Sequence, residues 1–220
     1  MIPLTLRRSA AVAAVTALTA PAGLSAQGDL RFAAGLTGAY VWVHSDGAGT
    51  SEALKAPGFG VKADLVWWRL GLNLRYLQAD LKPTTTDALR RDMTEGRALL
   101  GLQLTSWLDL ATGPQVRSYG TAVGTQRWFL WAVAARGESA LLPNIVRGYA
   151  EFWTVFPVDV NVPEQWNDGF GGEVGVTLAL SHLPLWLRLA YRLEVYRLGD
   201  GARRETVDAV TLDLGIGRRR

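Results

Sequence analysis

The 220-residue chain has no cysteine and only two histidines, His44 and His182. No disulfide framework, thiolate metal site or cysteine nucleophile is therefore available. Long hydrophobic runs are missing as well. Beyond the N-terminal segment no 18 consecutive residues are apolar, although 49% of the chain is hydrophobic, so a membrane-spanning helix is excluded there. An excess of one charge is also lacking, with 23 Lys and Arg against 20 Asp and Glu. Two of the basic residues, Arg7 and Arg8, lie in a segment expected to be removed, which leaves 21 against 20. A chain this close to neutral has no electrostatic footprint for nucleic acid, and none is expected as a partner.

Residues 1–26 read as a cleaved secretory signal. Arg7 and Arg8 supply the positive start, and 9–20 form an Ala/Val/Leu core too short to span a bilayer. Pro21 and Gly23 break that core, and Leu24-Ser25-Ala26 provides small residues before a cut at Gln27. An uncleaved anchor is the alternative. Residues 27–220 then make a single domain.

What remains is governed by alternation with period two, which sends successive side chains to opposite faces of a strand. Phe32, Leu36, Tyr40 and Trp42 share one face, and Arg31, Gly35 and Thr37 the other. The pattern returns with Leu70, Leu72, Leu74 and Tyr76 against Gly71, Asn73 and Arg75, and with Leu187, Leu189, Tyr191 and Leu193 against Arg188, Ala190, Arg192 and Glu194. Continued to Val210, Leu212, Leu214 and Ile216, it predicts ten antiparallel strands in an up-and-down barrel, with eight or twelve as alternatives. Short connections fall at Trp68-Arg69, Thr105-Ser106, 142–144 and 182–184. Longer polar loops are expected over 45–57, 82–94, 120–125, 163–168 and 199–204. Short turns at one end and longer loops at the other suit a transmembrane barrel, which leaves no strand edge unpaired in lipid.

Two aromatic girdles are expected where the wall meets the headgroups. Trp67, Trp68, Trp107 and Trp186 lie beside short turns, and Tyr40, Trp42, Tyr76 and Tyr196 lie near the opposite strand ends. A soluble lipocalin-like barrel would alternate equally well. Small residues and nearly balanced charges share one face here, which suits a crowded polar interior better than a solvated exterior.

With this architecture the chain resembles the bacterial outer-membrane β-barrel family over residues 29–217, without a motif that marks a subfamily. The resemblance implies residence in the outer membrane, contact with its lipid, and insertion by the barrel-assembly machinery. Members of that family usually end on an aromatic residue, whereas this chain ends Arg218-Arg219-Arg220.

The inward face is the best functional lead. Arg31, Lys62, Asp64, Arg75, Arg97, Asp109, Arg136, Arg147, Glu151, Glu173, Arg188, Arg192, Glu194 and Asp213 are expected to point into the lumen, with Glu95 and Arg117 beside them. A selective pore biases one sign, so near-balance points to charges that pair and fill the bore. The function expected is a non-enzymatic structural or adhesion-type envelope barrel. A narrow channel for ions or small polar solutes is the alternative, and a lipid hydrolase or protease comes third. For the hydrolase, His44-Ser45 is a candidate pair, but neighbours on an extended chain point apart. Gly169-Phe170-Gly171-Gly172 and Gly199-Asp200-Gly201 read as turns, not phosphate cradles. No motif calls for a cofactor or a metal.

Overall fold

The computed structural model describes residues 30–47, 49–84, 89–122, 124–143, 145–180 and 183–217. The signal segment, His182 and the Arg218–Arg220 tail lie outside these residues. Ten strands follow one another: β1 Leu30–Gly47, β2 Thr50–Trp67, β3 Leu70–Pro83, β4 Arg91–Gln103, β5 Leu108–Gly120, β6 Thr125–Leu142, β7 Val146–Val160, β8 Trp166–Ala179, β9 Leu185–Leu198 and β10 Arg203–Gly217. Each pairs antiparallel with the next, and β10 closes on β1.

The register sets the girth and tilt of the wall. From Trp42, paired residues lead through Asp208, Leu193, Gly172, Phe152, Ala135, Leu110, Leu102, Leu70 and Trp67. The circuit returns to β1 at Leu30, twelve residues from its start. A stagger of that size over ten strands tilts them by about 40° to the barrel axis, given a rise of about 3.3 Å per residue and about 4.8 Å between strands.

Tight turns are shaped by residues that accept the left-handed backbone. Gly49, at φ 80°, sits in the two-residue link between β1 and β2. Gly199, Asp200 and Gly201, at φ 59°, 54° and 87°, carry the chain from β9 to β10. Only glycine reaches this region without a Cβ penalty, and Asp pays less than most residues.

The expected long loops are corrected by the structure. Among the described residues, of 45–57 only Gly49 lies outside a strand, and of 82–94 only Thr84, Leu89 and Arg90. Polar residues in these stretches belong to strands, with Asp46, Lys55, Lys82 and Asp92 on the outward face and Ser45, Glu52 and Arg91 turned inward. On β3, Leu70, Leu72, Leu74 and Tyr76 point outward near the turn end, while Gly71, Asn73 and Arg75 point in. Further along, Gln78, Asp80 and Lys82 occupy the outward register and Leu77, Ala79 and Leu81 are buried inside. On β1 the change falls between Trp42 and His44, with Val41 and Val43 fully buried within. On β10 it falls between Val210 and Asp208, with Val207 and Ala209 inside.

The wall is therefore two structures end to end. Near the turns it is apolar outside and charged inside, over about ten residues per strand, matching an apolar band about 25 Å tall. Beyond this belt, at the far end, it is polar outside and apolar inside, like a water-soluble barrel.

Candidate functional site

The interior is built in three tiers. The first, at the far end, is an apolar plug. Val41, Val43, Leu54, Leu81, Met93, Leu130 and Val207 are buried around Trp128, which has no exposed surface. The Trp128 ring meets Tyr119, Trp166 and Tyr196 edge-on at centroid distances of 6.0, 5.8 and 5.0 Å, the geometry aromatic rings favour. Ion pairs rim the plug: Arg91 with Glu52, and Arg203 with Glu164 at 3.3 Å. The Tyr119 hydroxyl donates to Glu205 at 2.6 Å.

The second tier is ionic. Arg117 donates to both Glu95 and Glu194, and Arg192 also donates to Glu95. Nearer the turn end, Lys62 donates to Asp213, which accepts a second bond from Thr37 at 2.7 Å. Glu173 is the busiest acceptor. It takes Arg75 through two nitrogens at 2.8 and 3.1 Å, the Tyr149 hydroxyl at 2.6 Å, and Arg188. Arg188 Nε donates in turn to the Tyr149 oxygen at 2.6 Å. Arg97 pairs with Glu151 at 2.8 Å and lies 4.6 Å from the centroid of the Trp153 ring.

Some of these partners are neighbours on adjacent strands of the wall, as Arg117 with Glu95 and Arg188 with Glu173, but Arg75 and Arg97 find theirs across the bore. Arg75 and Arg97 are directly opposite each other on β3 and β4, and so are Glu151 and Glu173 on β7 and β8. Like charges in that position destabilise a sheet. The strain is relieved because the arginine pair reaches the glutamate pair on the other side of the barrel. Each charge is thereby desolvated and partnered, which makes burial of so many ions tolerable.

The third tier is a vestibule of about 580 Å³ at the turn end. Arg136 and Arg147 both pair with Glu138, at 3.2 and 2.6 Å. Asn73 donates to Asp64, and Asp109 stands opposite Arg136. Arg31 is exposed at the vestibule rim. Leu183, Pro184 and Trp186 give the cavity an apolar side.

Outside, the belt carries Leu36, Phe59, Leu100, Leu189 and Leu212 exposed on its surface, with no charged side chain in the outward register of β3 between Leu70 and Tyr76. An apolar exterior, an ion-paired interior and a closed edge decide the class. The chain is a β-barrel of the outer-membrane type.

No family model matches the sequence, and no curated protein matches it. Among solved structures this barrel is similar to the translocator domain of the autotransporter NalP from Neisseria meningitidis, at TM-score 0.45 and 9% identity, covering 88% of this chain and 90% of that one. It is also similar to the outer membrane channel DcaP of Acinetobacter baumannii, at TM-score 0.38 and 11% identity over 80% of this chain. It spans only 61% of that channel's length. The attachment invasion locus protein Ail of Yersinia pestis gives TM-score 0.33 and 9% identity, covering 88% of this chain and all of that one. Likeness at this level assigns no role.

The girdle needs correcting. Tyr40, Trp42 and Tyr76 face outward at the belt's far edge, and Trp67, Trp68 and Trp107 face outward at its turn edge. Trp186 and Tyr196 are 2% and 1% exposed and belong to the interior. Both are even-numbered on β9 and follow Arg188 and Arg192 inward. Two glycines make room for Trp186, since a Cβ on Gly215 or Gly35 would lie 2.2 or 2.7 Å from its ring. Tyr196 packs against Trp128 and Trp166. The same parity on β9 could have placed both from sequence. Of the apolar plug, Leu54 and Met93 were missed because their polar neighbours read as loop, and the others because apolar residues were assigned to the outer face. His44 and Ser45 point to opposite faces of β1, so they form no Ser–His couple.

Proposed function

We propose that this barrel is a sealed, non-enzymatic envelope protein of structural or adhesion type. In this reading it is exported by its N-terminal signal, inserted by the barrel-assembly machinery, and bathed in outer-membrane lipid. The end at which the strands stop with the belt faces the periplasm, and the end at which they run on beyond it with a polar exterior stands clear of the membrane. The observation that carries the reading is the plug: the Trp128 cluster and the aliphatic side chains around it fill the bore beyond the ionic tier. Ions must cross both tiers in series, and an apolar constriction bars them by excluding water.

Single-molecule recording in planar bilayers tests this. Protein reconstituted at 1:1 Na⁺ or K⁺ salts should insert without producing steady openings. Regular, salt-dependent current from the unmodified protein would instead favour a narrow channel for ions or small polar solutes, which the open vestibule supports as the competing reading.

A further inference from the structure

A hollow interrupts the outside of the belt, and the strand pairing explains it. β7 and β8 are paired from Val146 with Leu178 as far as Thr154 with Phe170. Beyond that point β7 continues beside β6 and β8 beside β9. The Thr154 hydroxyl donates to the Gly169 carbonyl at 3.2 Å where the ladder stops. Just on the belt side of this fork lies an exterior hollow of about 320 Å³, lined by Phe152, Phe170, Val174, Tyr191, Leu193 and Val195.

Gly172 creates the space. It stands between Phe152 and Leu193 in the outward register, and a Cβ there would meet the Phe152 ring at 3.3 Å. Arg197 marks the far-end limit of the hollow. Its guanidinium lies 5.6 Å from the centroid of the Phe170 ring, and it gives one N–H to Asp168 at 3.2 Å. With 45% of the side chain exposed, its other N–H donors face the medium.

We propose that the hollow holds one acyl chain of a phosphorylated membrane lipid, with the lipid phosphate on Arg197. The surrounding medium at this height is hydrocarbon, so a chain seated there supplies the dispersion contacts that an unfilled void would forfeit. Arginine presents paired donors that match phosphate, and Arg197 sits where the apolar exterior gives way to polar residues, at headgroup height. The leaflet is the outer one in the orientation proposed above. The inference needs the membrane-barrel fold but not the sealed bore, so a conducting barrel would leave it standing.

The test is native mass spectrometry of the mature chain, released into mild detergent from bilayers of phosphatidylethanolamine and phosphatidylglycerol doped with diacylglycerol. One retained lipid is expected on the unmodified protein. Gly172→Leu fills the hollow and should lower the retained fraction about tenfold. Gly38→Leu, on the outward face of β1 where a Cβ meets nothing nearer than 3.9 Å, should leave retention unchanged. Arg197→Gln should lower retention of both phospholipids while leaving that of diacylglycerol, which has no phosphate, as it was. Should Gly172→Leu not fold, as judged by heat-shifted migration, Leu193→Trp fills the same space from β9. Equal loss in the Gly38 and Gly172 variants, or no loss in either, would reduce the hollow to ordinary lipid contact and overturn the proposal. An Arg197→Gln variant that retains phospholipid fully would overturn the phosphate contact.

Discussion

At the scale of the residue, one step along a strand separates two solvents. Arg188 is 1% exposed inside the ionic tier, and Leu189 is 51% exposed on the belt. Because the chain lacks cysteine, single cysteines report the facing directly. A lipid-soluble maleimide should label Leu189→Cys and spare Arg188→Cys, and the reverse pattern would mean that the charged face lies outside. Leu189→Arg should cost about 2–4 kcal/mol in folding into bilayers, as arginine does near the midplane of a barrel's lipid face. The interior charges behave differently. Glu95 holds both Arg117 and Arg192, so Glu95→Leu strands the buried Arg192 guanidinium and leaves Arg117 on Glu194 alone, and should cost about 3–5 kcal/mol. Urea unfolding in lipid vesicles measures both losses. A Glu95→Leu variant as stable as the parent would show that water reaches this tier.

At the scale of the element, each strand changes character part-way along, and this decides how much could be read from the sequence. Ten strands and their phase were legible because apolar residues repeat at every second position within the belt. The inversion was not, although the same period continues: Leu54 and Ala56 flank Lys55, and Leu77, Ala79 and Leu81 alternate with Gln78 and Asp80. Polar outward residues above the belt look like loop when apolar-outward is the only template. The ion pairs were legible as a set of inward charges but not as partners. Lys62 meets a residue 151 positions away, Arg75 one 98 away and Arg192 one 97 away. Which residues share a level depends on the twelve-residue stagger of the closed sheet, and no single strand contains that information. The inversion has a measurable consequence. Leu54→Ala empties space inside a packed protein core and should cost about 2–5 kcal/mol. Leu212→Ala faces lipid, where acyl chains fill the space and are as apolar as the side chain removed, so its cost should be clearly smaller. Equal losses in vesicle unfolding would place Leu54 against lipid and dissolve the two-part wall.

At the scale of the whole molecule, the two inner tiers act as barriers in series, and they exclude ions for different reasons. The ionic tier is polar and blocks by filling the bore with paired side chains. The plug is apolar and blocks by leaving nothing to hydrate a passing ion. Opening one should therefore not open the molecule. Arg117→Gln together with Glu95→Gln loosens the ionic tier but leaves Trp128, Leu130 and Val207 in place, and should stay silent in planar bilayers. Trp128→Ala with Leu130→Ala removes the centre of the plug but leaves Arg75 and Arg97 joined to Glu173 and Glu151 across the bore, with Arg188 still on Glu173, and should also stay silent. The four substitutions combined with Glu151→Gln and Glu173→Gln, which release Arg75, Arg97 and Arg188, should give steady, salt-dependent current. Current from the ionic-tier pair alone would mean that the aromatic cluster is no seal, and the structural reading would yield to that of a channel gated by its ion pairs.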